Sequence, residues 1–210
     1  MFRTIFCCAF LLTSSGVLAA EPPHTGDVAV QQVANGMRFT IITPHGFVGF
    51  DANSSWGVLA MQTKPPVTVT AFQIPDPADD GSPDATNLAV SLYQKDSPEG
   101  QDAIASTEQK YGMFTIATES HNDWTVHVRR TAQDGTIYIM LDAQAPRADM
   151  VCGVRLAWPQ LDSHAEGYDG KMKTLFLAML DSIQGKTGAY QVHPGEVVRT
   201  PDSKPASAQP

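Results

Sequence analysis

The chain has 210 residues, of which 42% are hydrophobic and 17% are charged, and its formal net charge is −8. This balance is too apolar for a disordered protein and too polar for a protein that crosses a membrane many times. The acidic excess argues against nucleic-acid binding, because the chain has no basic surplus with which to displace counterions from phosphates. We therefore expect one globular domain with short tails.

The first 20 residues have the pattern of a secretory signal peptide. Arg3 is the only charged residue before Glu21, and an apolar stretch leads to small residues that end at Ala20. This stretch is shorter than the roughly 20 residues that cross a bilayer, and no second long apolar run follows it. We expect cleavage near Ala20, no membrane span, and release of the mature chain into the periplasm or outside the cell.

The mature chain keeps Cys152 as its only cysteine, which excludes an internal disulfide. An apolar core must therefore stabilise the fold, and a chain of this size is long enough to bury one. Segment 21–32 and tail 200–210 are rich in proline and polar residues, and we predict that both are flexible. No repeat, charge block or linker interrupts residues 33–199, which predicts a single α+β domain there.

Strand signals dominate this domain. A proline and a glycine at 44 and 46 end the first strand, and Asp134-Gly135 favours a tight hairpin turn because both residues tolerate positive φ. Pro159 ends the last strand because it lacks a backbone donor. One face of that strand should point into the core, with Cys152, Val154, Leu156 and Trp158. The expected strands are 37–42, 57–62, 67–74, 88–93, 124–131, 136–143 and 151–158.

Two helices interrupt the strands. The first begins at Pro98, with Ser97 as its cap, and should run to about Lys110. The second has Asp169 as its predicted cap and Gly185 as its predicted end. Its apolar stripe consists of Met172, Leu175, Phe176, Met179, Leu180 and Ile183. Each of these side chains contributes about 1.5 to 3 kcal/mol when fully buried, so we expect this helix to pack on the sheet.

The predicted fold class is α+β, an antiparallel sheet packed against helices with an amphipathic helix near the C-terminus. The element order over residues 37–185 resembles the PsbP-like fold. The likeness depends on Thr-Pro-His-Gly-Phe at 43–47, Arg-Leu-Ala-Trp-Pro at 155–159 and a closing helix that ends at 180–183. That superfamily includes an extrinsic subunit of the photosynthetic oxygen-evolving complex and bacterial envelope proteins. Because its members usually dock to other proteins, the resemblance implies a non-enzymatic binding domain without catalytic residues.

Segment 121–129 is the richest candidate for a contact surface. If the segment is one extended strand, alternate residues share a face, with Trp124 on the other side. Tryptophan and arginine, which this segment contains, are common at interface hot spots. The partner-binding candidates are His121, Asp123, Trp124, His127 and Arg129. Metal binding is the more specific alternative, but His127 lies ~13 Å from Asp123 along a strand, while the ligand atoms around one zinc ion lie about 3 to 4 Å apart.

The loop at 76–84 is acidic and rich in proline. In a calcium-loop pattern, Ala78 leaves the third position without an oxygen ligand and Asn87 replaces the bidentate carboxylate of the twelfth position, so we predict no calcium site. Asp79 and Asp80 are instead added to the partner-binding candidates, because a negative patch steers a basic partner.

The sequence contains no nucleophile elbow, phosphate-binding loop or zinc-protease motif, and Cys152 is expected to be a buried, inert thiol. These observations predict a periplasmic or secreted protein-binding module, monomeric or a small oligomer, without cofactor, metal or catalytic residues. An inhibitor or immunity protein against a toxin is one form of this function. The alternative is a metal-dependent hydrolase or a small-ligand-binding protein that uses His121, Asp123 and His127.

Overall fold

Strands make up most of the structure. A computed structural model describes residues 24–53, 56–64, 67–74, 86–105 and 114–200. The helices are α1 (Pro98–Ala105) and α2 (Tyr168–Ser182). The strands are β1 (Val28–Val33), β2 (Gly36–Thr43), β3 (Gly46–Ala52), β4 (Gly57–Lys64), β5 (Val67–Ile74), β6 (Thr86–Gln94), β7 (Phe114–His121), β8 (Trp124–Gln133), β9 (Thr136–Arg147), β10 (Met150–Pro159), β11 (Gln184–Thr187) and β12 (Val197–Arg199).

These strands form two antiparallel sheets. The five-stranded sheet has the order β11-β3-β2-β1-β12, and the seven-stranded sheet has the order β4-β5-β6-β10-β9-β8-β7. In the second sheet β6 pairs with β10, which places Leu92 beside Cys152. The fold is therefore mainly β, and the predicted α+β class is wrong. The resemblance to the PsbP-like fold remains a prediction from the sequence.

The additional strands explain this correction. β1 lies partly within the segment that was predicted to be flexible, yet Val28 and Val30 are buried and pair with β2. The prediction of flexibility is therefore wrong for residues 28–32. β3 contains glycines that weaken a strand signal, but Gly46 is required because a Cβ there would collide with the backbone oxygen of Lys186 in β11. Pairing with distant strands thus stabilises β1 and β3 as strands, although their local sequences favour strands only weakly.

The strands predicted from alternation are confirmed at β2, β4, β5, β6, β8, β9 and β10. The predicted hairpin turn is also confirmed, since Asp134 and Gly135 have φ values of 49° and 81°. In β10 the predicted core face is buried, and its side chains are at most 1% exposed, namely Cys152, Val154, Leu156 and Trp158.

The two helices depart from the prediction at their ends. α1 begins at Pro98 as expected, and residues 106–110 of the predicted helix lie outside the described residues. The N-cap of α2 is Gly167, with a φ of 82°, instead of Asp169. Asp169 lies in the first turn and accepts a 2.8 Å hydrogen bond from Trp158 Nε1. The helix ends at Ser182, so the predicted end at Gly185 falls within β11.

In the described part of the chain, one hydrophobic core lies between the inner faces of the two sheets and α2. The rings of Phe39 and Phe50 from the five-stranded sheet contact Phe72 from the seven-stranded sheet, with centroids 5.3 and 5.1 Å away. The helix adds Met172, Phe176, Met179 and Leu180, which are at most 3% exposed. The prediction that this helix packs on a sheet is thus confirmed. No helix in the described part of the chain is long and apolar enough to cross a bilayer.

The segment after α2 joins both edges of the five-stranded sheet. β11 pairs with β3, and β12 pairs with β1. Between them Tyr190 packs its ring on Phe47 and donates a 2.6 Å hydrogen bond to Glu196 Oε1. Thr200 donates to Asp27 Oδ1 at 2.7 Å. The predicted flexible tail therefore begins no earlier than residue 201, and residues 201–210 lie outside the described ranges.

A cleft along α2

The predicted contact segment is a hairpin instead of one strand. β7 ends at His121, residues 122–123 form the turn, and β8 begins at Trp124. In the ladder His121 pairs with Trp124, and His127 pairs with Thr118. Paired residues share a face, and the face alternates at each step along a strand. Because positions 118 and 121 are three steps apart, the two histidines lie on opposite faces of the sheet.

The prediction that His121, Asp123, Thr125, His127 and Arg129 share one face is therefore wrong for His121 and Asp123, whereas the other three residues do share the outer face of β8. It assumed that the chain is extended throughout, whereas Asn122 adopts a φ of 53° and reverses its direction. His121 shares the inner face with Trp124, and His127 lies on the outer face.

The inner side of this hairpin is held against α2. His121 Nε2 lies 2.7 Å from Asp181 Oδ1, and Asn122 donates to the same oxygen at 2.8 Å. Two residues earlier, and therefore on the same face of β7, Glu119 accepts two hydrogen bonds from Lys173 Nζ, at 2.6 and 2.7 Å. His121 thus takes part in fixing the helix to the edge of the sheet.

Arg147 covers the turn of the hairpin. It donates to both carboxylate oxygens of Asp123, at 2.6 and 3.1 Å, and its guanidinium lies 4.1 Å from the ring centre of Trp124. The hydrogen bond from Arg147 holds the pKa of Asp123 below its usual value of 3.8. Trp124 is 2% exposed, so this candidate is too deeply buried to contact a partner in the described fold.

On the outer face, two arginines flank one carboxylate. Asp142 Oδ1 accepts a 2.6 Å hydrogen bond from Arg155 Nε, and its Oδ2 lies 3.3 Å from Arg129 Nε. Arg129 is fully buried, which removes it from the accessible candidates. Beside this cluster His127 Nδ1 lies 3.0 Å from Thr118 Oγ1. Alternation in β9 and β10 places Asp142 and Arg155 on one polar face, but the sequence analysis did not identify their pairing.

The candidate metal ligands are not brought together. His121, Asp123 and His127 each contact a different side chain, and two of them lie on opposite faces. Within the described ranges, no group of three or more histidine, cysteine, aspartate or glutamate side chains has the geometry to hold a metal ion. The remaining candidates, Asp79 and Asp80, lie outside the described residues.

Cys152 is also poorly placed for chemistry. It is 0% exposed, and its burial raises the pKa of the thiol to about 12. The thiol is therefore protonated at neutral pH and a weak nucleophile. This confirms the prediction that Cys152 faces the core.

A cleft of about 980 Å³ runs along α2. Opposite the helix it is bounded by Trp56 and by residues 33–35 and 51–53, which lie at the C-terminal ends of β1 and β3. The helix residues that line it recur at helical spacing from one end of α2 to the other. They are Gly167, Gly170, Lys171, Thr174, Leu175, Ala178, Met179 and Ser182.

The cleft has an apolar floor and polar sides. Trp56 and Met179 are 7% and 3% exposed, so the floor is continuous with the core. At one end the backbone N–H of Asp51 donates to Ser182 Oγ at 2.9 Å, which connects β3 to the end of α2. The Asp51 carboxylate accepts a 2.8 Å hydrogen bond from Arg38 Nε, so its charge is balanced.

At the other end of the cleft, the side chain of Lys171 makes no hydrogen bond or ion pair with the described residues. The sequence analysis assigned the apolar stripe of α2 but overlooked the adjoining face. The small residues Gly170, Thr174, Ala178 and Ser182 recur there every fourth position, and this regularity was visible in the sequence.

Comparisons with known proteins give little further information. No family model matches the chain, and no curated protein matches it. A crystal structure from Bacteroides thetaiotaomicron VPI-5482 is similar over 66% of this chain, with 11% sequence identity and a TM-score of 0.41. The similarity spans 45% of that chain, which is less than half of its length.

Proposed function

We propose that the mature chain is a non-enzymatic binding protein of the periplasm, released after cleavage near Ala20, and that the cleft along α2 is its binding site. The cleft itself carries this proposal. Binding sites are typically concave and largely apolar, with a few polar groups, and have volumes of about 300 to 1,000 Å³. The cleft, at about 980 Å³, lies within this range.

The contacts around the cleft also favour a preformed site. Ser182 connects one end of α2 to β3, and Lys173 and Asp181 connect the helix to β7. The two walls are therefore held in place without a ligand, which lowers the entropic cost of binding.

The alternative, a metal-dependent hydrolase at His121, Asp123 and His127, receives less support. Such an enzyme needs its acid, base and metal ligands around one reacting atom. Here the two histidines lie on opposite faces of a sheet, and Asp123 is engaged by Arg147.

A protein is the proposed partner, and an inhibitor or immunity role against a secreted toxin remains one form of this proposal. The acidic net charge of the chain favours a partner whose own net charge is basic, because long-range electrostatic attraction speeds association.

Affinity capture with cleft variants tests the proposal. The bait is the mature protein, and the sample is an envelope extract of its own organism. Ala178→Phe places a large ring in the cleft, while Ala132→Phe makes the same change at an exposed position of β8. We expect wild type and Ala132→Phe to retain the same protein in stoichiometric amount and Ala178→Phe to lose it. Retention of nothing by the wild type, or equal retention by Ala178→Phe, would overturn the proposal.

A further inference from the structure

We infer that Asn35 is a site of spontaneous deamidation, which converts its side-chain amide to a carboxylate on the wall of the cleft. Asn35 precedes Gly36 and lies in the short turn between β1 and β2. The inference concerns the covalent chemistry of the chain and goes beyond the proposed function. Three features support it, namely the residue that follows Asn35, the free side chain of Asn35, and its position at the end of a strand ladder.

The reaction consumes only water. The backbone nitrogen of the residue after an asparagine loses its proton and bonds to the side-chain carbon Cγ, and the Cγ–Nδ2 bond breaks to release ammonia. Water then adds to one of the two carbonyl carbons of the resulting cyclic imide and breaks the bond from that carbon to the ring nitrogen. Opening at Cγ gives aspartate, and opening at the main-chain carbonyl gives isoaspartate. Nothing is oxidised or reduced, and one water replaces one ammonia.

The fold requires a glycine directly after Asn35. A side chain on that residue would hinder the attack of its nitrogen, and glycine has none. Gly36 has a φ of 149°, and a Cβ there would collide with the backbone oxygen of Ala52. Ala52 ends β3, which pairs with β2. The close approach of β3 therefore keeps at position 36 the residue that hinders the reaction least.

The side chain of Asn35 is free to react. It is exposed and makes no hydrogen bond with the described residues. Each of the other asparagines in the chain precedes a residue with a side chain. Asn122 also donates to Asp181, Asn87 lies in β6 between two paired strands, and Asn53 has an interaction of its own. Asn35 thus differs from all of them.

The attacking nitrogen belongs to the last pair of a ladder. Gly36 pairs with Val33, and only the turn lies beyond this pair. The pair must open before the nitrogen of Gly36 reaches Cγ of Asn35. Opening at the end of an element costs far less free energy than unfolding of the domain. We therefore expect the reaction in the native protein, at a lower rate than in the unfolded chain.

The product changes the charge of the cleft. Asn35 and Asp51 both line its sheet side, and the Asp51 carboxylate is already balanced by Arg38. Deamidation adds one more carboxylate to this side of an already acidic chain. Isoaspartate in addition lengthens the main chain of the turn by one methylene group. Aged protein is therefore expected to have an altered cleft wall.

Incubation of the mature protein in water enriched in heavy oxygen tests the inference. Trypsin releases Asn35 in the peptide that ends at Arg38, which contains no other asparagine. Each conversion adds one heavy oxygen to this peptide, so mass spectrometry detects new carboxylates. At mildly alkaline pH we expect Asn35 to convert at least about 10-fold faster than any other asparagine, which corresponds to an activation free energy lower by about 1.4 kcal/mol.

Two variants provide the controls. An isoaspartyl methyltransferase should label the aged wild type, because it methylates isoaspartate. Asn35→Gln should prevent this labelling, since a glutamine must close a larger ring. Asn53→Gln changes another asparagine on the same side of the cleft and should leave the labelling unchanged. Urea unfolding of each variant shows that it is folded during the incubation.

The outcomes decide the inference without reference to a partner. Selective uptake of heavy oxygen at Asn35 in the native protein supports it. If Asn35 keeps its amide in the native protein, whether or not it loses the amide in urea, the inference is overturned. Conversion of all asparagines at similar rates would also overturn it, because Gly36 would then have no effect. Since none of these results requires a ligand in the cleft, the proposed function stands or fails separately in the affinity capture.

Discussion

Asp142 provides a test of how burial determines the strength of an ion pair in this fold. Its carboxylate is 8% exposed and lies between Arg155, which is 32% exposed, and Arg129, which is 0% exposed. Asp142→Asn keeps the shape of the side chain but removes the negative charge between two guanidinium groups. Breaking a buried pair in this way typically costs about 3 to 5 kcal/mol. Because water reaches Arg155, we expect the lower end, a loss of about 3 kcal/mol in the free energy of unfolding.

Glu119→Gln is the matched control. The distance from Glu119 to Lys173 Nζ is 2.6 Å, as short as that between Asp142 and Arg155, but the two side chains are 43% and 38% exposed. Exposed ion pairs contribute about 0 to 1 kcal/mol, so the control should lose no more than this. Urea denaturation followed by tryptophan fluorescence measures both values. If Asp142→Asn destabilises the protein no more than Glu119→Gln does, the argument from burial is refuted.

Two further predictions concern the titratable groups. Burial and a thiol pKa of about 12 should make Cys152 react with Ellman's reagent only as fast as the protein unfolds, and rapid labelling of the native state at about pH 8 would contradict this. The hydrogen bond from Arg147 lowers the pKa of Asp123, so its contribution to stability is present above the unfolded pKa and is lost as the pH falls through the folded pKa. Asp123→Asn should therefore weaken the pH dependence of stability below about pH 4, by a small amount because the carboxylate is 63% exposed. Identical acid-unfolding curves for variant and wild type would argue against this.

The candidate site could be predicted only in part, because its residues come from distant parts of the chain. Helical spacing identified the buried stripe of α2, including Met179, and the adjoining small residues were equally visible. Nothing in the local sequence indicates that residues 33–35 and 51–53 lie opposite this face. The contact segment shows the same limit, since alternation was interpreted correctly within β8 but the turn at Asn122 moved His121 to the other face.

The sequence alone determined the features that depend on near neighbours. The turn at Asp134 and Gly135, the buried face of β10 and the apolar stripe of α2 follow from backbone preference and from the periods of strand and helix. Tertiary structure decided the fold class, because β1, β3 and β11 are ordered by pairing with distant strands more than by their own composition. Tertiary structure also determined which segments form the cleft and that Arg129 is buried. The physical reason is that burial and strand register depend on which segments meet, and pairing free energy between distant segments is not encoded in any one of them.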